Sequence, residues 1–502
     1  LRYTLVLIYF PLKPSRDACG LRFFSWIIML FIQKMRALLL ASTLATPLLP
    51  LAASAQNLPP SVETAFKSVG VPLKNVGVFV REISSDHTMI GNNLQTPFNP
   101  ASVMKLITTN VALDTLGPAY TWTTTAYTDG AIKDGVLDGN LIIKGGGDPK
   151  FVMENLWLLL RQIRAKGVRM IRGNLVIDDQ LFTRRQDDAF TFDDAPQKPY
   201  NANPSAFLLN FKTITFRFVA DVANHRVNVT MEPAMDYPIT PPALGQGPCG
   251  DWKAKLRPDI RANSAEFLGE FPAACQEQLL YIHPDTMTSL NYADKVFRQM
   301  WSDMGGMLLG KTEYGELSAS AVPIAQWKSP PLVEIIRDIN KYSNNVMTRQ
   351  LLLTLVAHSG YQPADASMGG AVIKKWFSEQ GLNGHDLVIE NGSGLSRSER
   401  VTPQALGEML TQAFQSPLMP EYISSMPLVG VDGTMKSRLK NTSVSGQAHI
   451  KTGLLNDVRA IAGYVRAASG KYYVITCMVN HPRAAESKAA LDQLLQWVYQ
   501  HG

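Results

Sequence analysis

Ser102-Val103-Met104-Lys105 sets a hydroxyl and an amine three residues apart at the start of an apolar run, Leu106 to Leu113. If that run is a helix, both side chains share one face of its first turn. A serine becomes a nucleophile only when a neighbour takes its proton, and the positive end of a helix makes a nearby lysine easier to deprotonate. Alone, the four residues read equally well as a solvated helix start. Two later stretches add to them. Ser343-Asn344-Asn345 lies between two helical patterns, where a turn can project a hydroxyl and an amide inward. Lys451-Thr452-Gly453 opens a strand pattern, where a glycine lets a substrate approach the backbone closely. The chemistry these types can do together is nucleophilic catalysis by a serine. No His-Glu-x-x-His pattern and no spaced Cys/His set occurs, so neither a metal nor a cofactor is expected.

The elements that must position these residues follow from periodicity. Gly77 to Ile83 with a turn at Ser85-Asp86 predicts a strand hairpin leading into the Ser102 helix. Pro331 to Ile336 and Val346 to Leu353 have apolar residues at helical spacing on either side of Ser343. Ala460 to Val465 and Lys471 to Val479 predict two central strands, and a last helix runs through Leu491 to Leu495. Between Thr123 and the second helical region the texture is Thr- and Val-rich with Gly turns, interrupted by a short helix at Leu156 to Lys166 and a loop at Phe190 to Pro196. We therefore expect an α/β (α+β) domain whose sheet uses both ends of the chain, with a large β-rich insertion between the first and second motifs. The expected boundaries are a presequence at 1–55, a catalytic domain at 56–122 and 304–502, an inserted β-rich domain at 123–147 and 217–303, and a second inserted subdomain at 148–216.

The 502 residues exceed one ordinary core, and 46% hydrophobic content fits a globular enzyme. Residues 1–55 carry six basic side chains against Asp17 alone, so nearly all of the formal +6 lies there and the body is close to neutral. That balance gives no support to nucleic-acid binding. Met35-Arg36, the apolar stretch after it and Ala53-Ser54-Ala55 form the three parts of a secretory signal, with cleavage expected before Gln56 and Met35 as the initiator of an over-extended start at Leu1. A retained N-terminal anchor is the rival reading. Export permits disulfides. Cys19 falls in the discarded segment and Cys477 in an apolar strand pattern, which leaves Cys249 and Cys275 to pair across a loop of about 25 residues, worth on the order of 3 kcal/mol.

Ser-x-x-Lys, Ser-x-Asn and Lys-Thr-Gly in this order resemble the penicillin-binding proteins and class A β-lactamases. Over residues 57–502 the chain resembles the class C low-molecular-mass penicillin-binding proteins in particular, the D-alanyl-D-alanine carboxypeptidase/endopeptidase family of the penicillin-binding protein 4 type (peptidase family S13). The likeness extends to Gly145-Gly146-Gly147-Asp148-Pro149, Asn391-Gly392-Ser393-Gly394-Leu395-Ser396-Arg397 and Gly430-Val431-Asp432-Gly433-Thr434. Asn344 and Asn391 depart from it, each standing where an aspartate is common.

The resemblance implies Ser102 as nucleophile, Lys105 as base and Ser343 as proton relay to the leaving D-alanine. It implies Asn345 as holder of a substrate amide, Lys451 and Thr452 of Lys451-Thr452-Gly453 as holders of the terminal carboxylate, and the backbone N–H groups of Ser102 and Leu454 as the oxyanion donors. It further implies an acid from the Phe192-Asp193-Asp194 loop, Asp194 by position, and Arg397 opposite, as binders of the amino and carboxylate ends of a diaminopimelate side chain. The expected protein is a periplasmic serine DD-carboxypeptidase, and DD-endopeptidase, of peptidoglycan stem peptides. β-Lactams would be its inhibitors, nucleic acid would be no partner, and membrane contact would be peripheral at most. The alternatives are a β-lactamase and a non-catalytic cell-wall scaffold.

Overall fold

The computed structural model describes residues 57–184 and 192–502. The expected signal segment and Phe190-Thr191 of the acidic loop lie outside the described residues. Helix α1 (Pro60–Ser68) precedes the hairpin β1 (Val76–Glu82) and β2 (Thr88–Asn92), and a 3-10 turn at Ala101–Val103 leads into α2 (Met104–Leu116). An insertion follows, described below. The chain then returns through α3 (Leu332–Tyr342), α4 (Asn345–His358) and α5 (Pro403–Gln415). It closes with β3 (Ala448–Leu455), β4 (Val458–Arg466), β5 (Tyr472–Asn480) and α6 (Lys488–His501). The strands form one antiparallel sheet in the order β2-β1-β5-β4-β3, which puts the two ends of the chain side by side, with Val78 opposite Cys477.

Alternation along the strands explains why both faces are covered. Val76, Val78 and Val80 of β1, with Ile475, Cys477 and Val479 of β5, point to the face packed by Val62 and Phe66 of α1 and Leu491, Leu494 and Val498 of α6. Phe79, Val474, Met478 and Ala462 point the other way, against Leu106 and Ile107 of α2 and Leu406, Met409 and Leu410 of α5. A sheet buried on both sides reads as unbroken apolar runs, as Tyr472 to Val479 does. Helix α2 is buried all round from Met104 to Leu113, so its position is set by packing on every side. Gly117, at φ +82°, ends it.

The insertion differs from the expected partition. Thr123–Thr128, Leu141–Lys144, Leu175–Asp178, Thr312–Tyr314 and Val322–Lys328 make one five-stranded sheet, so 123–147 and 148–216 do not separate, and residues 307–328 belong to the insertion rather than to the catalytic domain. Leu141–Lys144 and Leu175–Asp178 pair in parallel, and the helix at Met153–Ala165 makes the crossover that parallel pairing requires. Another sheet begins at Ile214, not 217, with Ile214–Asp221 between Arg226–Glu232 and Glu277–Ile282. Unpaired strand edges must find partners somewhere, and these partners lie far away in sequence, where no local pattern can name them. A disulfide joins Cys249 to Cys275 inside this part, and Cys477 is a buried free thiol.

Candidate active site

Ser102 stands in the 3-10 turn that precedes α2, held from both sides. Asn99 is the clamp. Its side-chain carbonyl accepts from the Ala101 N–H at 2.8 Å, its amide donates to the Ser396 carbonyl at 2.8 Å, and it exchanges two hydrogen bonds with Asn480 at the end of β5. These contacts hold Ala101 at φ +46°, a left-handed conformation that costs an alanine on the order of 1 kcal/mol or more. Gly453 packs on the same turn. A Cβ there would stand 2.4 Å from the Pro100 carbonyl, so this glycine lets the strand pack against the Ser102 turn, a need separate from the close substrate approach expected of it.

Lys105 lies one helical turn on. It has no exposed surface, and its Nζ donates to Ser102 Oγ at 3.0 Å, to Asn345 Oδ1 at 2.6 Å and to the Ser393 carbonyl. Those three acceptors use all three ammonium donors. Burial drives its pKa well below the ordinary lysine value, and the charges of Lys451 and Arg349 push the same way while Glu399 opposes them. A neutral amine would keep two of its hydrogen bonds and turn its lone pair to the Ser102 proton.

Asn345 and Ser343 owe their placement to a helix junction. Helix α3 buries Leu332, Ile335, Ile336 and Ile339 along one stripe and ends with Ser343 in the left-handed region at φ +58°. The Asn344 side chain then caps α4 by accepting from the Met347 N–H at 3.0 Å. Thus Asn344 is structural, and its neighbours on either side face the site. Ser343 Oγ accepts from Lys451 Nζ at 2.8 Å. Lys451 is fully buried on β3, and burial lowers its pKa to about 7. Thr452 Oγ1 donates to Thr434 Oγ1 at 3.0 Å, which brings into the site a threonine that its own motif gave no reason to choose.

A cavity of about 250 Å³ lies over Ser102 and is lined also by Asn345, Leu454, Arg397, Phe192 and Asp193. Asp194 does not line it. That side chain is exposed, with its backbone at φ +54°. Asp193 instead accepts from the Tyr200 hydroxyl at 2.5 Å and the Asn201 amide at 2.9 Å. Asp194 is exposed outside the cavity on a left-handed backbone, a local fact that two adjacent aspartates cannot reveal. Arg397 lies over the Phe192 ring at 4.8 Å and pairs with Asp457 at 2.7 Å.

Sequence reasoning missed Glu399. It has no exposed surface, and one carboxylate oxygen accepts from the N–H groups of Glu390, Asn391 and Gly392 at 3.1, 2.9 and 2.8 Å. This turn delivers the Ser393 carbonyl to Lys105 and the Gly392 carbonyl to Thr108 Oγ1 at 2.7 Å. Glu399 is therefore a positioning residue acting through the turn. No spacing rule marks it, because in sequence it is one acid among ordinary turn residues. Glu399→Ala should strand three buried donors, at about 1–3 kcal/mol each where water cannot reach. We expect β-lactam acylation to fall about a hundredfold and the melting temperature to drop. Glu399→Gln, which keeps an acceptor, should recover most of both. Equal damage by the two variants in acylation kinetics and thermal melts would refute the hydrogen-bonding role.

The chain matches the model of the D-Ala-D-Ala carboxypeptidase 3 (S13) family over residues 61–501. It is 27% identical to a D-alanyl-D-alanine carboxypeptidase of an Actinomadura species, covering 84% of this chain and 80% of that one. It is 23% identical to D-alanyl-D-alanine carboxypeptidase DacB of Haemophilus influenzae, covering 84% and 89%. The crystal structure of penicillin binding protein 4 (dacB) from Haemophilus influenzae superposes with a TM-score of 0.75 at 22% identity, covering 88% of this chain and 99% of that one. A structure of that protein complexed with a β-lactam gives 0.70 at 21% identity, covering 88% and 100%. With the family match spanning nearly all of the described residues, and the Ser102, Lys105, Ser343 and Lys451 side chains converging on one site, the chain belongs to the D-Ala-D-Ala carboxypeptidase 3 (S13) family.

Proposed function

We propose that this protein is a serine DD-carboxypeptidase that removes the terminal D-alanine of peptidoglycan stem peptides, cleaves D-alanyl cross-links, and is acylated by β-lactams. The observation that carries this reading is the buried Lys105 amine 3.0 Å from Ser102 Oγ, with Lys451 beside Ser343 across the site. Lys105 takes the Ser102 proton as Oγ bonds to the D-alanyl carbonyl carbon. The C–N bond then breaks, the leaving amine takes a proton through Ser343, and water hydrolyses the ester. The N–H groups of Ser102 and Leu454 hold the oxyanion; one such donor is worth roughly 3 kcal/mol. Export to the periplasm is part of the same proposal and rests on the signal-like segment from Met35 to Ala55.

Incubation with a fluorescent penicillin and with a stem pentapeptide tests the reading. Lasting label and D-alanine release support it. Rapid drug turnover would favour a β-lactamase, and absence of label a scaffold.

Asp193 and Arg397, which share the Ser102 cavity, suit the ammonium and carboxylate of a diamino-acid side chain. Asp193→Asn should cut kcat/KM on diaminopimelate peptides about tenfold, the loss of a charge-assisted contact of roughly 1.5 kcal/mol. Asp194→Asn should change it less than twofold, and neither should alter penicillin acylation, since the drug lacks that side chain. A loss confined to Asp194→Asn would reverse the assignment.

A further inference from the structure

A second, larger cavity of about 710 Å³ adjoins the first across Tyr200 and Asn345, which line both. Ser343 is in its wall, whereas Ser102 and Leu454 are not. The hydroxyl placed to protonate the leaving amine therefore borders this space. A departing D-alanine has only a handful of heavy atoms. A cavity of this size falls within the ~300–1,000 Å³ that enclose ligands many times larger.

The lining also states a charge preference. Among the described residues it includes Lys198 and Lys253, both exposed, and no carboxylate side chain. Tyr281 and Tyr342 add aromatic faces that are 54% and 71% exposed. Two cations and open rings next to a proton donor suit a peptide with free carboxylates.

We propose that this cavity holds the leaving strand of a cross-linked substrate, an anionic stem peptide, with Lys253 and Tyr281 as its specificity residues. The assignment rests on the DD-peptidase reading of Ser102. When Ser102 Oγ bonds to the D-alanyl carbonyl carbon of a cross-link, the C–N bond breaks and the nitrogen takes the proton that left the serine. The second strand then departs as a free amine with its whole peptide attached, and that peptide occupies the cavity. With a monomeric pentapeptide only D-alanine departs, and the cavity takes no part.

The test uses the full chain with Lys253→Glu and, separately, Tyr281→Ala, assayed on a defined cross-linked dimer of stem peptides, a monomeric pentapeptide and a fluorescent penicillin. On the dimer, kcat/KM should fall about tenfold in each variant, the size of one lost charged or aromatic contact. Pentapeptide hydrolysis and penicillin labelling should stay within about twofold. Equal losses on dimer and pentapeptide, or undiminished dimer cleavage, would overturn the assignment. A parent protein that releases D-alanine and takes the label but never cuts the dimer would also overturn it while leaving the carboxypeptidase reading intact. A parent that does none of the three would instead remove the DD-peptidase reading itself.

Discussion

Replacing Ser102 with alanine should abolish penicillin labelling and lower D-alanine release by about 10⁴-fold or more, while the melting temperature stays close to that of the parent. The two halves of this expectation come from different contacts. Chemistry is lost because Oγ is the atom that bonds to the acyl carbon, and neither Ser343 nor Ser393 can substitute. Ser343 Oγ is held by Lys451, and Ser393 Oγ is buried and donates to Asn391 Oδ1 at 2.6 Å. The fold is kept because the turn is held through backbone groups by Asn99, and Lys105 Nζ retains Asn345 and the Ser393 carbonyl as acceptors. Labelling on a gel, D-alanine release and a thermal melt together check it. Covalent label on Ser102→Ala would place the nucleophile elsewhere.

Lys105→Arg should retain a positive charge yet lose about 10³-fold or more in acylation, since a guanidinium does not surrender its proton in the working pH range. Lys105→Met should be as inactive but more stable at neutral pH. The sign follows from the direction of the shift. Burial pushes Lys105 well down and Lys451 to about 7 from the ordinary 10.5, so the folded chain disfavours protonation that the unfolded chain accepts. The cost to stability is full below the folded pKa and fades as pH rises toward the unfolded value. For Lys451 that window runs from about 7 up to 10.5. The parent should therefore gain stability across it, and Lys451→Met or Lys105→Met should raise the melting temperature more at pH 7 than at pH 10. Melts at the two pH values decide the point. Methionine variants less stable than the parent at pH 7 would mean that the lysines are not held against their charge.

The stabilising effect expected of replacing Lys105 or Lys451 measures what the site costs. Two lysine amines are buried at one site, Lys105 hydrogen-bonded to Ser102 and Asn345 and Lys451 to Ser343. Protein interiors accept such groups only when surrounding structure compels it. Here the compulsion comes from a helix buried on every side and from the edge strand of a sheet covered on both faces.

Several features were legible in the chain itself because they are local. Ser102 and Lys105 are one turn apart on any helix, Ser343 to Asn345 fall between two stretches with apolar residues at helical spacing, and the apolar run at Tyr472 to Val479 reads as a buried strand. The pairing of Cys249 with Cys275 followed from the few cysteines available. What only the tertiary structure decided depends on residues distant in sequence. The strands at 307–328 joined the insertion because their partners lie there, at 170–177 for the first two and at 123–128 for Val322–Lys328. Gly453 proved necessary to the Pro100 carbonyl, more than 350 residues earlier, and Glu399 to a turn whose outward carbonyl meets Lys105. Asp193 rather than Asp194 lines the Ser102 cavity, and Asp194 has a left-handed backbone that two adjacent aspartates do not announce. Composition and spacing name the groups that can react; only packing fixes which of them lose water, and desolvation sets whether a lysine can act as a base.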